Sequence, residues 1–123
     1  MATITSQLTL SGSGVTSDQL EITQSVTFNV TLPVVESGTL NVTATPTDLV
    51  PANPSRVYLY VKNTGTLGTS DNVNIQTAAA VNIAELAPTE WLFFPVEENL
   101  NLKVDAATAS GTSTIEYSYF TAV

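Results

Sequence analysis

A chain of 123 residues is one domain's length of polypeptide, enough to bury most of its unfolded surface without disulfides or metal. Only 11% of it is charged, against ~25% in an ordinary soluble domain, and Thr, Ser, Asn and Gln fill 44 of the 123 positions. Three Lys+Arg against eleven Asp+Glu leave a net charge of −8, which excludes binding nucleic acid through its phosphates; the absence of Cys and His excludes thiol nucleophiles, imidazole bases, disulfides and Cys/His zinc sites.

The start of the chain, Met1-Ala2-Thr3-Ile4-Thr5, lacks the basic region and apolar core of a signal peptide. No apolar run approaches the ~20 residues that span a bilayer, so the expectation is a product folded in a cytoplasm with no membrane partner. Asn29-Val30-Thr31 and Asn41-Val42-Thr43 match a glycosylation pattern and are read as strand-face asparagines.

Residues 3–10 place Ile4, Leu8 and Leu10 on one face and Thr3, Thr5, Gln7 and Thr9 on the other. From Leu20 to Leu32 every even residue but Gln24 is apolar and every odd residue is polar, the period of a half-buried strand. Glu36-Ser37-Gly38 reads as the turn of an antiparallel hairpin that returns through Leu40, Val42 and Ala44. Pro46–Ser55 holds three of the six prolines and reads as a crossover loop. Val57, Leu59 and Val61 define the next strand, which ends at Asn63-Thr64-Gly65; Val73 and Ile75 open another. Ala78-Ala79-Ala80 is compatible with a single helical turn, and a strand at Val81–Leu86 leads to a turn at Ala87–Glu90. Strands at Trp91–Val96, Leu100–Ala106 and Ile115–Phe120 follow, the last two joined at Ser110-Gly111.

Eight or nine short strands without a convincing helix predict an all-β fold, an antiparallel sandwich or jelly roll. A single domain over residues 1–123 is expected. The alternative division is an N-terminal hairpin arm (1–45) and a C-terminal module (56–123).

Reactive chemistry is scarce. The one adjacent carboxylate pair, Glu97-Glu98, follows Pro95-Val96 in a turn-like stretch, and neighbours in extended chain point apart. Asp18…Glu21, Asp71-Asn72 and Glu97-Glu98-Asn99 supply oxygen ligands without the spacing of a calcium loop, and are read as solvated turn acids. No catalytic residue, metal or cofactor is therefore expected. The aromatic residues say more. Tyr58 and Tyr60 share a strand face with Lys62, Trp91-Leu-Phe93-Phe94 is apolar on both faces, and Tyr117, Tyr119 and Phe120 fall near the end. A strand apolar on both faces lies at the centre of a core or under a neighbouring subunit. Tyr58, Tyr60, Trp91, Phe93, Phe94, Tyr117, Tyr119 and Phe120 are thus the candidates for an oligomer interface. Neutral polar strand faces fit the same reading, since hydroxyls and amides cost less to cover than charges do.

From Arg56-Val-Tyr-Leu-Tyr-Val-Lys-Asn-Thr-Gly65 through Asn72–Ile75, Ala84–Val96 and the closing hairpin, residues 56–120 resemble small all-β virion proteins of tailed bacteriophages, the decoration or cement group. The resemblance implies a non-enzymatic homo-oligomer, a trimer in many members, that stabilises the outer face of a phage head against the major capsid protein. A tail, neck or head-fibre component is the near alternative. From the residues alone, a carbohydrate-binding module that stacks sugar rings on Trp91, Tyr58 and Tyr60 is the alternative of a different class.

Overall fold

The computed structural model describes residues 2–13 and 20–122 and is all-β, with antiparallel sheets. Nine strands are described: β1 (Ala2–Gly12), β2 (Leu20–Thr43), β3 (Thr47–Val50), β4 (Val57–Asn63), β5 (Val73–Thr77), β6 (Asn82–Leu86), β7 (Trp91–Val96), β8 (Leu102–Ala106) and β9 (Thr112–Ala122). They form a five-stranded sheet in the order β1-β2-β9-β4-β7 and a four-stranded sheet in the order β3-β8-β5-β6. The alternation read in the sequence decides which face of each strand is covered. Val57, Leu59 and Val61 of β4 point between the sheets with Val73 and Ile75, Leu102 and Val104, and Ile115, all buried. Burial of each such side chain contributes roughly 1.5–3 kcal/mol, and together they hold the layers together.

Four local expectations change. The closing hairpin joined at Ser110-Gly111 is instead a crossover between layers, because β8 belongs to the four-stranded sheet and β9 to the five-stranded one. Glu36-Ser37-Gly38 is no turn, because β2 runs straight through it, pairing Glu36 with Tyr119, Ser37 with Ser118 and Gly38 with Tyr117. Glycine accommodates a close approach there: a Cβ at position 38 would stand 3.2 Å from the Tyr117 hydroxyl oxygen, and the ring would have to give way slightly. The hairpin partner of Leu20–Val30 is therefore β1, in a register that sets Leu10 opposite Ile22 and Ile4 opposite Phe28. The proline-rich stretch contains a four-residue strand, β3, on β8, and the register shift between Asp48 and Val50 lets both Leu49 and Val50 turn inward. Ala78–Ala80 makes the β5–β6 hairpin turn instead of a helical one. Ala80 takes φ 60°, and Thr77 N–H donates to the Val81 carbonyl at 3.0 Å.

Asn63, the last residue of β4, ties one end of the sandwich together and is 0% exposed. Its Nδ2 donates to the carbonyls of Asp71 (3.1 Å) and Leu86 (3.0 Å), while its Oδ1 accepts from Gly65 N–H (3.0 Å) and the Ser113 hydroxyl (2.6 Å). Both donors and both lone pairs of the amide are used, so one side chain joins the two sheets and a loop. Beside it, the Asp71 carboxylate receives the N–H and hydroxyl of Thr108, each at 2.7 Å. These bonds from Thr108, helped by Asn72 N–H, hold the Asp71 carboxyl below its ordinary pKa against a small opposing desolvation.

Candidate functional site

In the five-stranded sheet, cross-strand pairs place Tyr58 between Pro95 and Phe120, Tyr60 between Phe93 and Ser118, and Lys62 between Trp91 and Glu116. All of these lie on the face turned away from the core. The candidate residues thus divide in two. Tyr58, Tyr60, Trp91, Phe93 and Phe120 share the outward face, whereas Phe94, Tyr117 and Tyr119 pack against the core from the inward face. The doubly apolar character of Trp91–Val96 follows from this, since Leu92 and Phe94 face inward while Trp91 and Phe93 face outward. Burial lifts the Tyr119 phenol above its ordinary pKa, and the neighbouring Glu36 carboxylate adds to the rise.

A residue that the interface reading left out completes the outward face. Phe28, from the first half of β2, stacks on Tyr58 with ring centroids 4.3 Å apart and planes 6° from parallel, and its centroid is 5.2 Å from that of Phe120 and 6.5 Å from that of Phe93. The β1–β2 ribbon, paired to β9 only from Val30 onward, therefore folds back over the outward rings and covers them with one of its own. The period-two pattern did place Phe28 on the apolar side of its strand; what it could not give is the layer that side meets. Trp91 stays outside this stack at 53% exposure, with Tyr60 6.5 Å away and tilted by 40°. The Tyr60 hydroxyl donates to Glu116 Oε1 at 2.8 Å, and burial together with that carboxylate raises the phenol pKa.

Beyond Phe28 the ribbon is uncovered. Leu8, Leu10, Leu20, Ile22 and Val26 lie on its apolar face and are all exposed, from 38% for Leu20 to 50% for Val26. The expectation of a half-buried strand holds at Phe28 and Val30 and fails further out, where among the described residues only Phe93 borders Leu8 and Val26 and no second layer lies beneath Leu10, Leu20 and Ile22. The opposite face is polar and carries one charge, Glu21, with Thr5 and Thr27 hydroxyl oxygens 3.0 Å apart across the strands.

The remaining concavities have little chemistry. One of ≈ 650 Å³ lies among Arg56, Pro95, Glu97, Glu98 and Asn99, every one of them exposed. Among the described residues no group of three or more Asp or Glu is placed to hold a metal ion, and Asp18 lies outside the described residues. No helix among them is long and apolar enough to cross a membrane. Compared with known proteins, the chain matches no family model, no curated protein and no solved structure.

Proposed function

We propose that this chain is a non-enzymatic structural protein that works as a homo-oligomer, in the role of a decoration protein on the outer face of a tailed-phage head. The observation that carries the oligomer is the exposed ribbon: five large apolar side chains on one face, interrupted by Ser6 and Gln24, on an element that its inner end anchors. An apolar strip of this kind favours contact with another surface, since covering it releases water at roughly 25 cal/mol per Å². The phage setting comes from the resemblance of the sequence of residues 56–120 to cement proteins, and the acidic balance of −8 suits a surface that faces away from packaged nucleic acid. A cement protein acts by adding contact area between capsomers, and many weak contacts on one shell suffice.

The Leu10→Thr, Ile22→Thr double variant tests the oligomer by light scattering: it is expected to run as a monomer while the unaltered chain does not. Electron microscopy of native particles tests the setting, and absence of this protein's density from the shell refutes it. A second reading, a saccharide-binding face, has one observation in its favour. Trp91 is exposed beside Tyr60, whose hydroxyl bonds Glu116, and across from Lys62, an arrangement of ring and polar groups on which a sugar can stack and form hydrogen bonds. A glycan array with no binding removes it.

A further inference from the structure

The exposed apolar side chains are not scattered. Five are on the ribbon, and Val81, Ile83 and Trp91 lie on or beside β6 and β7; of the exposed large hydrophobics described, Leu67 alone sits elsewhere. The strands β6 and β7 are the last of their respective sheets, and an apolar cleft of ≈ 280 Å³ opens between them, lined by Ile83, Ala84, Leu92 and Phe94. No charged residue lines this cleft.

The backbone at the same place is also unpaired. Pro95 has no N–H and is tolerated opposite Tyr58, so the β7 residues of its parity direct their amides away from β4. Trp91 and Phe93 therefore offer N–H groups at the free edge. Natural sheets protect such edges with charge or proline: β3 carries Asp48 and β6 carries Glu85, whereas β1 carries neither and β7 carries only Pro95, near its end. Glu21 is the only charge on the paired residues of the ribbon.

Building on the oligomer reading above, we propose that the ribbon of one copy seats in the β6–β7 cleft of the next copy. Its leucines and Ile22 fill the space beside Leu92 and Phe94, and a ribbon edge pairs with β7. By their fractional exposure, the five ribbon side chains present on the order of 400 Å², and Val81, Ile83 and Trp91 (the last on the outward side of β7) on the order of 300 Å², each somewhat below the about 450 Å² of apolar area on one side of a standard interface. Charge acts in the same direction, since two copies of net charge −8 repel least where uncharged elements meet. Two different surfaces meet, so the contact is head-to-tail. It closes into a ring such as a trimer when the rotation permits and runs on as a filament when it does not.

The chain has no cysteine, so disulfide trapping has no background. Leu10→Cys and Ile83→Cys variants, both at exposed positions, are mixed in equal amounts and oxidised gently. A cross-linked dimer of the two different variants is expected, because facing Cβ atoms reach the ~3.8 Å a disulfide needs. In parallel, Ile83→Glu is expected to weaken association at least tenfold, with unchanged thermal unfolding of the separated chain. If the unaltered chain is a monomer, the oligomer reading falls and this inference falls with it. If the chain is oligomeric but Leu10→Cys cross-links only to itself and Ile83→Glu leaves the mass unchanged, ribbons meet ribbons. This inference is then overturned while the oligomer reading stands.

Discussion

Replacing Asn63 by Ala removes four hydrogen bonds at once. The Leu86 carbonyl and Ser113 hydroxyl lose partners in fully buried bonds, and the Asp71 carbonyl and Gly65 N–H lose partners in partly buried ones. A buried group left unpaired costs about 1–3 kcal/mol, and the partly buried pair recovers much of its loss through water, so the expected sum is about 3–5 kcal/mol. That is a large share of the roughly 5–15 kcal/mol that holds a domain folded. Urea unfolding followed by Trp91 fluorescence and by circular dichroism measures it, as a fall in midpoint at unchanged slope. Asn63→Asp gives an isosteric comparison. It keeps the acceptor side, but its carboxylate faces the Leu86 and Asp71 carbonyls, which raises its folded pKa above the unfolded value. Its penalty is then full above the raised folded pKa and shrinks as pH falls through that pKa toward the unfolded value. A loss below about 1 kcal/mol for Asn63→Ala, or no pH dependence in the gap between the Asp and Asn forms, refutes the idea that this amide pins the two sheets together.

Phe28→Ala removes the ring that anchors the ribbon on Tyr58 and Phe120; a loss of about 2 kcal/mol is expected, with faster hydrogen exchange in residues 20–30, and unchanged exchange there contradicts the stack. Gly111→Ala drives a Cβ into the Asp71 carboxylate and is expected to cost about 1–3 kcal/mol in thermal or urea unfolding, whereas Gly68→Ala meets no atom but inherits a φ of +81° and is expected to cost less. Because the Asp71 pKa is lowered by its Thr108 bonds, the stability it contributes is present above the unfolded carboxylate pKa and is lost as pH falls through the lowered folded value; in Asp71→Asn that part of the acid-side slope is expected to disappear, and an unchanged slope argues against it.

The β class and most strands were legible because their side chains obey the two-residue period of a pleated sheet facing one core, as in Val57–Val61 and Leu102–Val104. Misreadings arose where a residue type serves two physical purposes. Gly38 has the appearance of a turn, yet it leaves room for Tyr117 inside an unbroken strand. Pro46 and Pro51 bracket a strand short enough to need no amide from either. The division of the aromatic residues was half legible: alternation assigns Tyr58 and Tyr60 to one face, but only the strand order shows that Tyr117 and Tyr119 point to the core and that Phe28 folds back to cover the others. Asn63 gave no signal beyond an Asn-Thr-Gly at a strand end, since its four partners come from positions 65, 71, 86 and 113.

Self-association through the uncovered ribbon is tested most directly by the mass of the unaltered chain in solution, measured by light scattering across micromolar concentrations at physiological salt. A mass that is a whole multiple of 13.0 kDa, falling to 13.0 kDa in the Leu10→Thr, Ile22→Thr chain, is the expected result. A single 13.0 kDa species at every concentration, with the apolar ribbon left bare to water, contradicts it.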